Sequence, residues 1–452
     1  MDRIGKNAIF AGQRERACAL QGRGLCRRRE PPAGDVETWE SDQPLGPDAP
    51  QVPTRLLMKA LRGLIGVIAI CLSAGFLTGC SHREARIPEA WNQTAAAHYL
   101  DWREGWWTTW PTAARDHGTF CISCHTALPY ALSRPSLRSA LSEKAPSPEE
   151  RELIDDVQRR VRLWSVTAPY YREKTDESRG TEAILDALIL ASYDARNGKL
   201  NADTLSAFDH MWTVQQTTGG DKGAWSWLQF DNEPWEASDS EYYGASLAAV
   251  AVGTAPGNYS ATPEIQNHLR LLREYLERDY TTQTPINQVA LLWASEKLPG
   301  VLDSEEQRSI INEVLTKQRS DGGWCLSSLA GTWKRYDGTP LVLHSDGYAT
   351  GFITYVLQEA GLSRDDLHVE RGLSWLVHNQ TWWGGHWSAY SLNIRRHNPF
   401  SGEARFMDDA ATAYAVLALT QATEHTEAAA IQPLEPSPCR GPAGSLAASV
   451  CR

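Results

Sequence analysis

Between residues 90 and 420 the chain alternates two hydrophobic patterns, both with the period of an α-helix. The first is a stripe. Leu269, Leu272, Tyr275 and Leu276 recur on one side with charged residues between them, as in a helix that buries one face. These stretches open on capping signals. Ser147-Pro148-Glu149-Glu150 combines an N-cap serine, a first-position proline and a capping-box glutamate. Thr262-Pro263-Glu264, Asn201, Asp303 or Ser304, and Ser363 open others, and the first of the series is expected at 91–106. The second pattern is short, apolar on nearly all sides and rich in Ala and Gly, at 180–192, 242–252, 287–298, 347–357 and 409–419. A helix apolar all round is buried, and small side chains let such helices approach closely. Residues 121–132 hold the matching place with a weaker signal.

The buried stretches begin near residues 121, 180, 239, 285, 346 and 408, about 60 residues apart in four cases and closer once. Each follows an amphipathic partner, which gives six outer and six inner helices. The predicted fold is all-α: a closed (α/α)6 toroid, with an open α-superhelix of the same pairs as the alternative. A closed ring needs no capping repeats.

Three outer helices are expected to end on a shared phrase. It reads Gln318-Arg319-Ser320-Asp321-Gly322-Gly323-Trp324, then Gln380-Thr381-Trp382-Trp383-Gly384-Gly385-His386-Trp387, with a looser copy from Gln216 to Gly223-Ala224-Trp225. Glycine permits the turn after the helix. The Trp is expected to lie over the helix end, and the Gln to bond backbone. The phrase resembles the Gln-and-Trp repeat of squalene-hopene cyclases and related prenyltransferase-like toroids, over residues 90–420. That resemblance implies a terpene-cyclase type of toroid with a cavity at one end of the ring. The cyclases of that family protonate an alkene with an Asp-x-Asp-Asp acid. Here Phe406-Met407-Asp408-Asp409 and Asp239-Ser240-Glu241 come nearest, and neither carries the full motif. The Asp-x-Cys zinc pair of the prenyltransferases has no counterpart.

Cys121-Ile122-Ser123-Cys124-His125 carries the chemistry. C-x-x-C-H is the attachment signature of c-type haem: two thiols three positions apart reach the two vinyl groups of one porphyrin edge, and the following imidazole can take an axial iron position. A disulfide or half of a zinc site would use the same residues. The amino terminus favours haem c. Met58-Lys59-Ala60-Leu61-Arg62 reads as a basic n-region, 64–77 as a short apolar run, and Leu77-Thr78-Gly79-Cys80 resembles a bacterial lipoprotein signal. Residues 1–57 read as a misassigned or disordered extension, 58–80 as the signal peptide, 81–420 as the toroid and 421–452 as a disordered Pro/Ala-rich tail. Cys80 is then lipidated. Ser81 after it implies the outer membrane, and the chain is tethered in the bacterial periplasm or cell envelope without spanning a bilayer.

The inner helices of a ring point one way, so Arg179, Glu182, Asp239, Glu241, Asp346, Asp408 and Asp409 are expected on one rim with the haem motif. Helix caps are the simpler role for these acids. For the distal iron ligand Met407 is the first candidate, because the last inner helix closes against the first. His344 is the second and His117 the third. Of the remaining cysteines, Cys325 is expected to be buried, while Cys439 and Cys451 lie in the tail. A net charge of −11 argues against a nucleic-acid partner.

These readings lead to a membrane-anchored extracytoplasmic c-type haem protein, serving electron transfer with a redox partner protein or haem-dependent redox chemistry. The alternative is a cyclase- or prenyltransferase-like enzyme, or a binding protein, for an apolar isoprenoid-like small molecule. If the chain is an enzyme, an oxidoreductase fits these signals better than a cyclase. The catalytic residues stay open.

Overall fold

The computed structural model describes residues 90–393 and 401–431. Among these are twelve α-helices: α1 (Gln93–Thr109), α2 (Ala127–Ala140), α3 (Pro148–Arg162), α4 (Thr175–Ala195), α5 (Ala202–Thr213), α6 (Ser240–Thr254), α7 (Gln266–Asp279), α8 (Pro285–Lys297), α9 (Ser304–Thr316), α10 (Gly347–Glu359), α11 (Leu367–Asn379) and α12 (Phe406–Ile431). None of the described helices is long and apolar enough to cross a membrane.

The even-numbered helices form a closed inner ring. α2 packs on α4, α4 on α6, α6 on α8, α8 on α10, α10 on α12, and α12 returns to α2. The odd-numbered helices lie outside: α1 on α2 and α12, α3 on α2 and α4, α5 on α4, α7 on α6, α9 on α8, and α11 on α10 and α12. The fold is therefore an all-α toroid of six helix pairs, and the open superhelix is ruled out by the α12–α2 contact. Inner helices are buried around their whole circumference, as in α6, where Tyr242 to Val252 are all buried. Glycine sets some of the spacing. A Cβ on Gly180 of α4 would fall 2.0 Å from the Ser226 carbonyl oxygen.

Five of the six outer helices start at a side-chain cap, with Asp366 rather than Ser363 opening α11, while α7 has none and follows a 3-10 turn that begins after Thr262. Ser147 and Asp303 each form a complete capping box, with Glu150 and Glu306. At their C-terminal ends the Gln/Trp phrase forms one repeated joint. Trp225, Trp324 and Trp387 are fully buried, and their indole nitrogens donate to the carbonyls of Met211, Val314 and Leu376 in the preceding helix. Gln318 donates to the Gly322 and His368 carbonyls and meets His368 Nδ1 at 2.7 Å. In the looser copy the equivalent residue is Gln215, not Gln216: it donates to the Gly223 and His268 carbonyls and meets His268 Nδ1 at 2.6 Å. The third copy closes the ring. Gln380 accepts from Asn92 N at 2.7 Å and donates to the Asn92 carbonyl at 3.0 Å, at the start of α1.

Further boundaries differ from the sequence reading, and α4 begins at Thr175 rather than near 180. The haem-like motif precedes α2 rather than beginning it, because the Ser123 hydroxyl accepts from Thr126 N and Ala127 N and caps the helix there. At the other end, α12 continues to Ile431, past the expected edge of the toroid at residue 420. Cys80, Cys439, Cys451, the lipoprotein signal and the 1–57 extension lie outside the described residues.

Candidate functional site

The segment from Thr119 to Thr126 runs in extended and turn conformation between α1 and α2. Its backbone is tied to every neighbour. Trp107 Nε1 donates to the Cys121 carbonyl at 2.7 Å, Phe120 N donates to Asp156 of α3, and Ile122 N donates to the Tyr170 hydroxyl. Cys121, Cys124 and His125 are all buried, and both cysteines are free thiols. Burial pushes the Cys121 thiol up to about 11 and the Cys124 thiol well above its usual range, so both are protonated at neutral pH.

His125 is the best-defined group. Its Nδ1 lies 2.9 Å from the Thr126 hydroxyl, and that hydroxyl lies 2.8 Å from Asp409 Oδ2. Asp409 is fixed in turn by α1. Arg103 donates to both carboxylate oxygens at 2.7 and 2.8 Å, and the Tyr99 hydroxyl adds a fourth bond at 2.9 Å. Burial raises the Asp409 carboxyl, and Arg103 opposes it. A carboxylate paired with a guanidinium can only accept, so the Thr126 hydroxyl donates to it. Thr126 oxygen must then accept from His125, which places the imidazole proton on Nδ1 and the lone pair on Nε2. Burial, followed by the nearby Arg103 charge, lowers His125 to about 3; the ring is neutral at physiological pH. Phe406 stacks on its face at 3.7 Å, with Trp107 edge-on at 5.1 Å and Trp235 at 5.7 Å.

Of the expected rim residues, Asp409 is brought to the motif, and the closure of the last inner helix on the first does this. Met407 is buried in the first turn of α12, one residue beyond the Phe406 that covers the imidazole. His344 is exposed in the loop before α10, and His117 is exposed beside Asp116 at 3.4 Å. Asp346 caps α10 as the simple reading has it, accepting from Ala349 N at 2.9 Å. Asp408 instead accepts from Ala389 N, Asp239 from the Asn287 side chain, and Glu182 pairs with Arg160 and Arg179. Cys325 is buried, as expected.

A row of buried acids behind the motif was not foreseen. Glu104 of α1 and Asp186 of α4 are wholly buried, and neither carboxyl has a hydrogen-bond partner for either oxygen. Burial, reinforced by neighbouring acids, raises both well above the carboxylate range, and burial raises Asp156 to about 7. The helical spacing of α1 alone could have suggested it. Tyr99, Arg103, Glu104 and Trp107 share one buried face of α1, so two ionisable residues sit among its aromatic ones, Arg103 paired with Asp409 and Glu104 without a partner.

The donor set fits the c-type haem that the motif implies. Two free thiols stand three positions apart, followed by an imidazole whose Nδ1 is engaged and whose Nε2 is the available donor. The Phe406 ring covers the imidazole face and not its edge. The surrounding shell is closed, so a porphyrin requires the aromatic side chains about the motif to shift. Among the described residues, no group of three or more His, Cys, Asp or Glu side chains could hold a metal ion by themselves.

Compared with known protein families and with curated proteins, the chain matches none. Among solved structures it is similar to a polysaccharide lyase, at 13% identity over 75% of this chain and 91% of that one, with a TM-score of 0.33. It is also similar to a glycosyl hydrolase of family 88 from Bacteroides vulgatus, at 12% identity over 74% of this chain and 92% of that one, again with a TM-score of 0.33. At these values no chemistry passes from either protein to this chain.

Proposed function

We propose that this toroid is an extracytoplasmic c-type haem protein, lipid-anchored at Cys80 in the bacterial cell envelope and serving electron transfer or haem-dependent redox chemistry. The observation that carries the reading is the His125–Thr126–Asp409 chain. It fixes the imidazole of a C-x-x-C-H motif in the tautomer a metal needs, next to two unpaired thiols. Haem, when bound, supplies one-electron chemistry at its iron.

The chain's own residues have distinct roles in this reading. Cys121 and Cys124 would hold the porphyrin edge through their free thiols. His125 offers Nε2, while Thr126 and Asp409 keep its ring oriented. Phe406 and Trp107 exclude water from the imidazole. Met407 stands as the distal-ligand candidate, and exposed His344 as the second. The cyclase-like alternative is weaker because Asp409 is held by Arg103, Tyr99 and Thr126, which leaves it no proton to give.

The test is a reduced pyridine haemochrome spectrum of the full chain, matured with a c-type attachment system and exported. A c-type α-band that survives acid-acetone extraction and vanishes in the Cys121→Ala, Cys124→Ala double variant supports the reading. An exported, folded chain without haem refutes it.

A further inference from the structure

The turn that ends α11 presents two large indoles to solvent. Trp382 is 92% exposed and Trp383 is 66% exposed, against five tryptophans elsewhere in the fold with almost no exposure. The turn is not loose. Thr381 N donates to the His386 carbonyl at 2.8 Å, and Gly385 N donates to the Thr381 carbonyl at 2.9 Å. The His386 ring is buried beneath it, stacked on Tyr99 at 4.7 Å, with Trp383 edge-on at 5.4 Å.

The fold does not require these indoles. The sister turn after α9 has the same Gln and Trp anchors, and there the two positions after Gln318-Arg319 are Ser320 and Asp321. One copy of the repeated joint thus closes over two polar residues, where the other, one residue longer, carries two exposed tryptophans and Gly384. Single exposed apolar residues are ordinary, whereas two adjacent indoles on a hydrogen-bonded turn expose apolar surface together. Trp102 of α1, 53% exposed, packs on the other end of the buried Tyr99–His386 stack at 5.8 Å, with the Arg405 guanidinium over its ring at 5.4 Å. Large amphipathic rings with a cation beside them suit the boundary between headgroups and acyl chains.

The position of this corner selects the occupant. Gln380, two residues before Trp382, is bonded on both sides of its amide to Asn92, where the described chain enters α1. Residues 81–92 separate that point from Cys80, twelve residues that reach at most about 40 Å when extended. A lipid on Cys80 would hold a bilayer within about that distance of this corner.

We propose that Trp382 and Trp383, with Trp102 and Arg405 beside them, form a membrane-interface contact that seats the toroid on the bilayer carrying its anchor. The proposal takes the location of the membrane from the lipid-anchor reading of Cys80, and the two are separable by experiment. Intact mass of the purified full chain reads the diacylglyceryl group. Tryptophan quenching by brominated lipids, in phosphatidylethanolamine/phosphatidylglycerol vesicles, reads the indoles whether or not the lipid is present.

The informative variant is Trp382→Ser with Trp383→Asp, which places the polar residue types of the shorter sister turn at two exposed positions and leaves the Thr381, Gly385 and His386 backbone bonds untouched. The expected result is an unchanged melting temperature with most of the bromolipid quenching lost. A form of the chain released from its lipid should need at least tenfold more vesicle for half-binding when it carries the double substitution. Equal quenching and equal vesicle affinity in the two proteins overturns the proposal, whatever the mass shows. So does protection of Trp382 and Trp383 by a soluble polysaccharide but not by vesicles.

Discussion

The Thr126 hydroxyl and Asp409 Oδ2 stand 2.8 Å apart across 283 residues of sequence. One residue follows the C-x-x-C-H motif and the other lies in the first turn of the last inner helix. Their bond joins the chemistry to the closure of the ring. Thr126→Val keeps the shape of the side chain and removes both of its hydrogen bonds. His125 Nδ1–H is then buried without an acceptor, at a cost of about 1–3 kcal/mol. The expected outcome is a lower melting temperature for Thr126→Val, with recovery in Thr126→Ser. In a haem-loaded protein the same pair should shift and restore the midpoint potential without loss of the covalent haem. A purely structural hydroxyl would move the first readout and not the second.

His125 and Glu104 should give stability opposite pH dependences. His125 is lowered from 6.5 to about 3 by burial and then by Arg103, so between those values the unfolded chain binds a proton the folded chain refuses. Stability contributed by the neutral ring is present above about pH 6.5 and falls as pH drops toward 3, by at most ~5 kcal/mol. In His125→Asn, where the amide can still donate to Thr126, that acid-side loss should shrink. Denaturant unfolding of apo-protein at several pH values between 7 and 4 measures it; parallel curves for the two proteins would refute the assignment.

Glu104 works the other way. Its folded carboxyl is raised well above 4.5, by burial first and by Asp409 next. The folded state therefore holds a proton that the unfolded chain releases. This contribution is complete below about pH 4.5 and is lost as pH rises through the folded value. Glu104→Gln keeps the shape without the charge, and should be more stable than the parent by a margin that widens from pH 5 to pH 9. A margin independent of pH would mean that Glu104 is ionised in the folded protein.

Much of the toroid was legible because its two helix types differ in a property that sequence displays directly, burial of one face against burial of all. The Trp staples were legible too, since Gly and Trp must follow a helix end at short range. What failed was register and long-range pairing. Gln215 and Gln216 are equally plausible in the sequence, and only the direction of the α5 end decides which one meets His268. Ser123 caps α2 from inside the motif, so the five residues that looked like a helix start lie in an extended stretch and a turn ahead of it. Arg103 and Glu104 look like surface charges until α1 is docked and its apolar face is seen to include them. Whether the space around His125 admits a porphyrin depends on Phe406, 281 residues away, and no local pattern announces that contact.

The last inner helix, α12, closes on α2, and the outer ring closes at Gln380 and Asn92, which lie 288 residues apart. Gln380 bonds both backbone groups of Asn92 and the Gly385 carbonyl, at 2.7, 3.0 and 2.7 Å. Gln318 makes the same kind of joint between two successive outer helices, at a place where the chain is already continuous. Removing either amide costs similar local bonding, about 1–3 kcal/mol. The consequences should differ in place. Gln380→Ala should raise amide hydrogen exchange through α1 and the motif segment that α1 holds by Trp107. Gln318→Ala should raise it only around the α9–α11 joint. Exchange mass spectrometry of the two variants reads this directly. Equal, local effects would mean that the α12–α2 contact alone keeps the ring shut and that Gln380 is an ordinary turn residue.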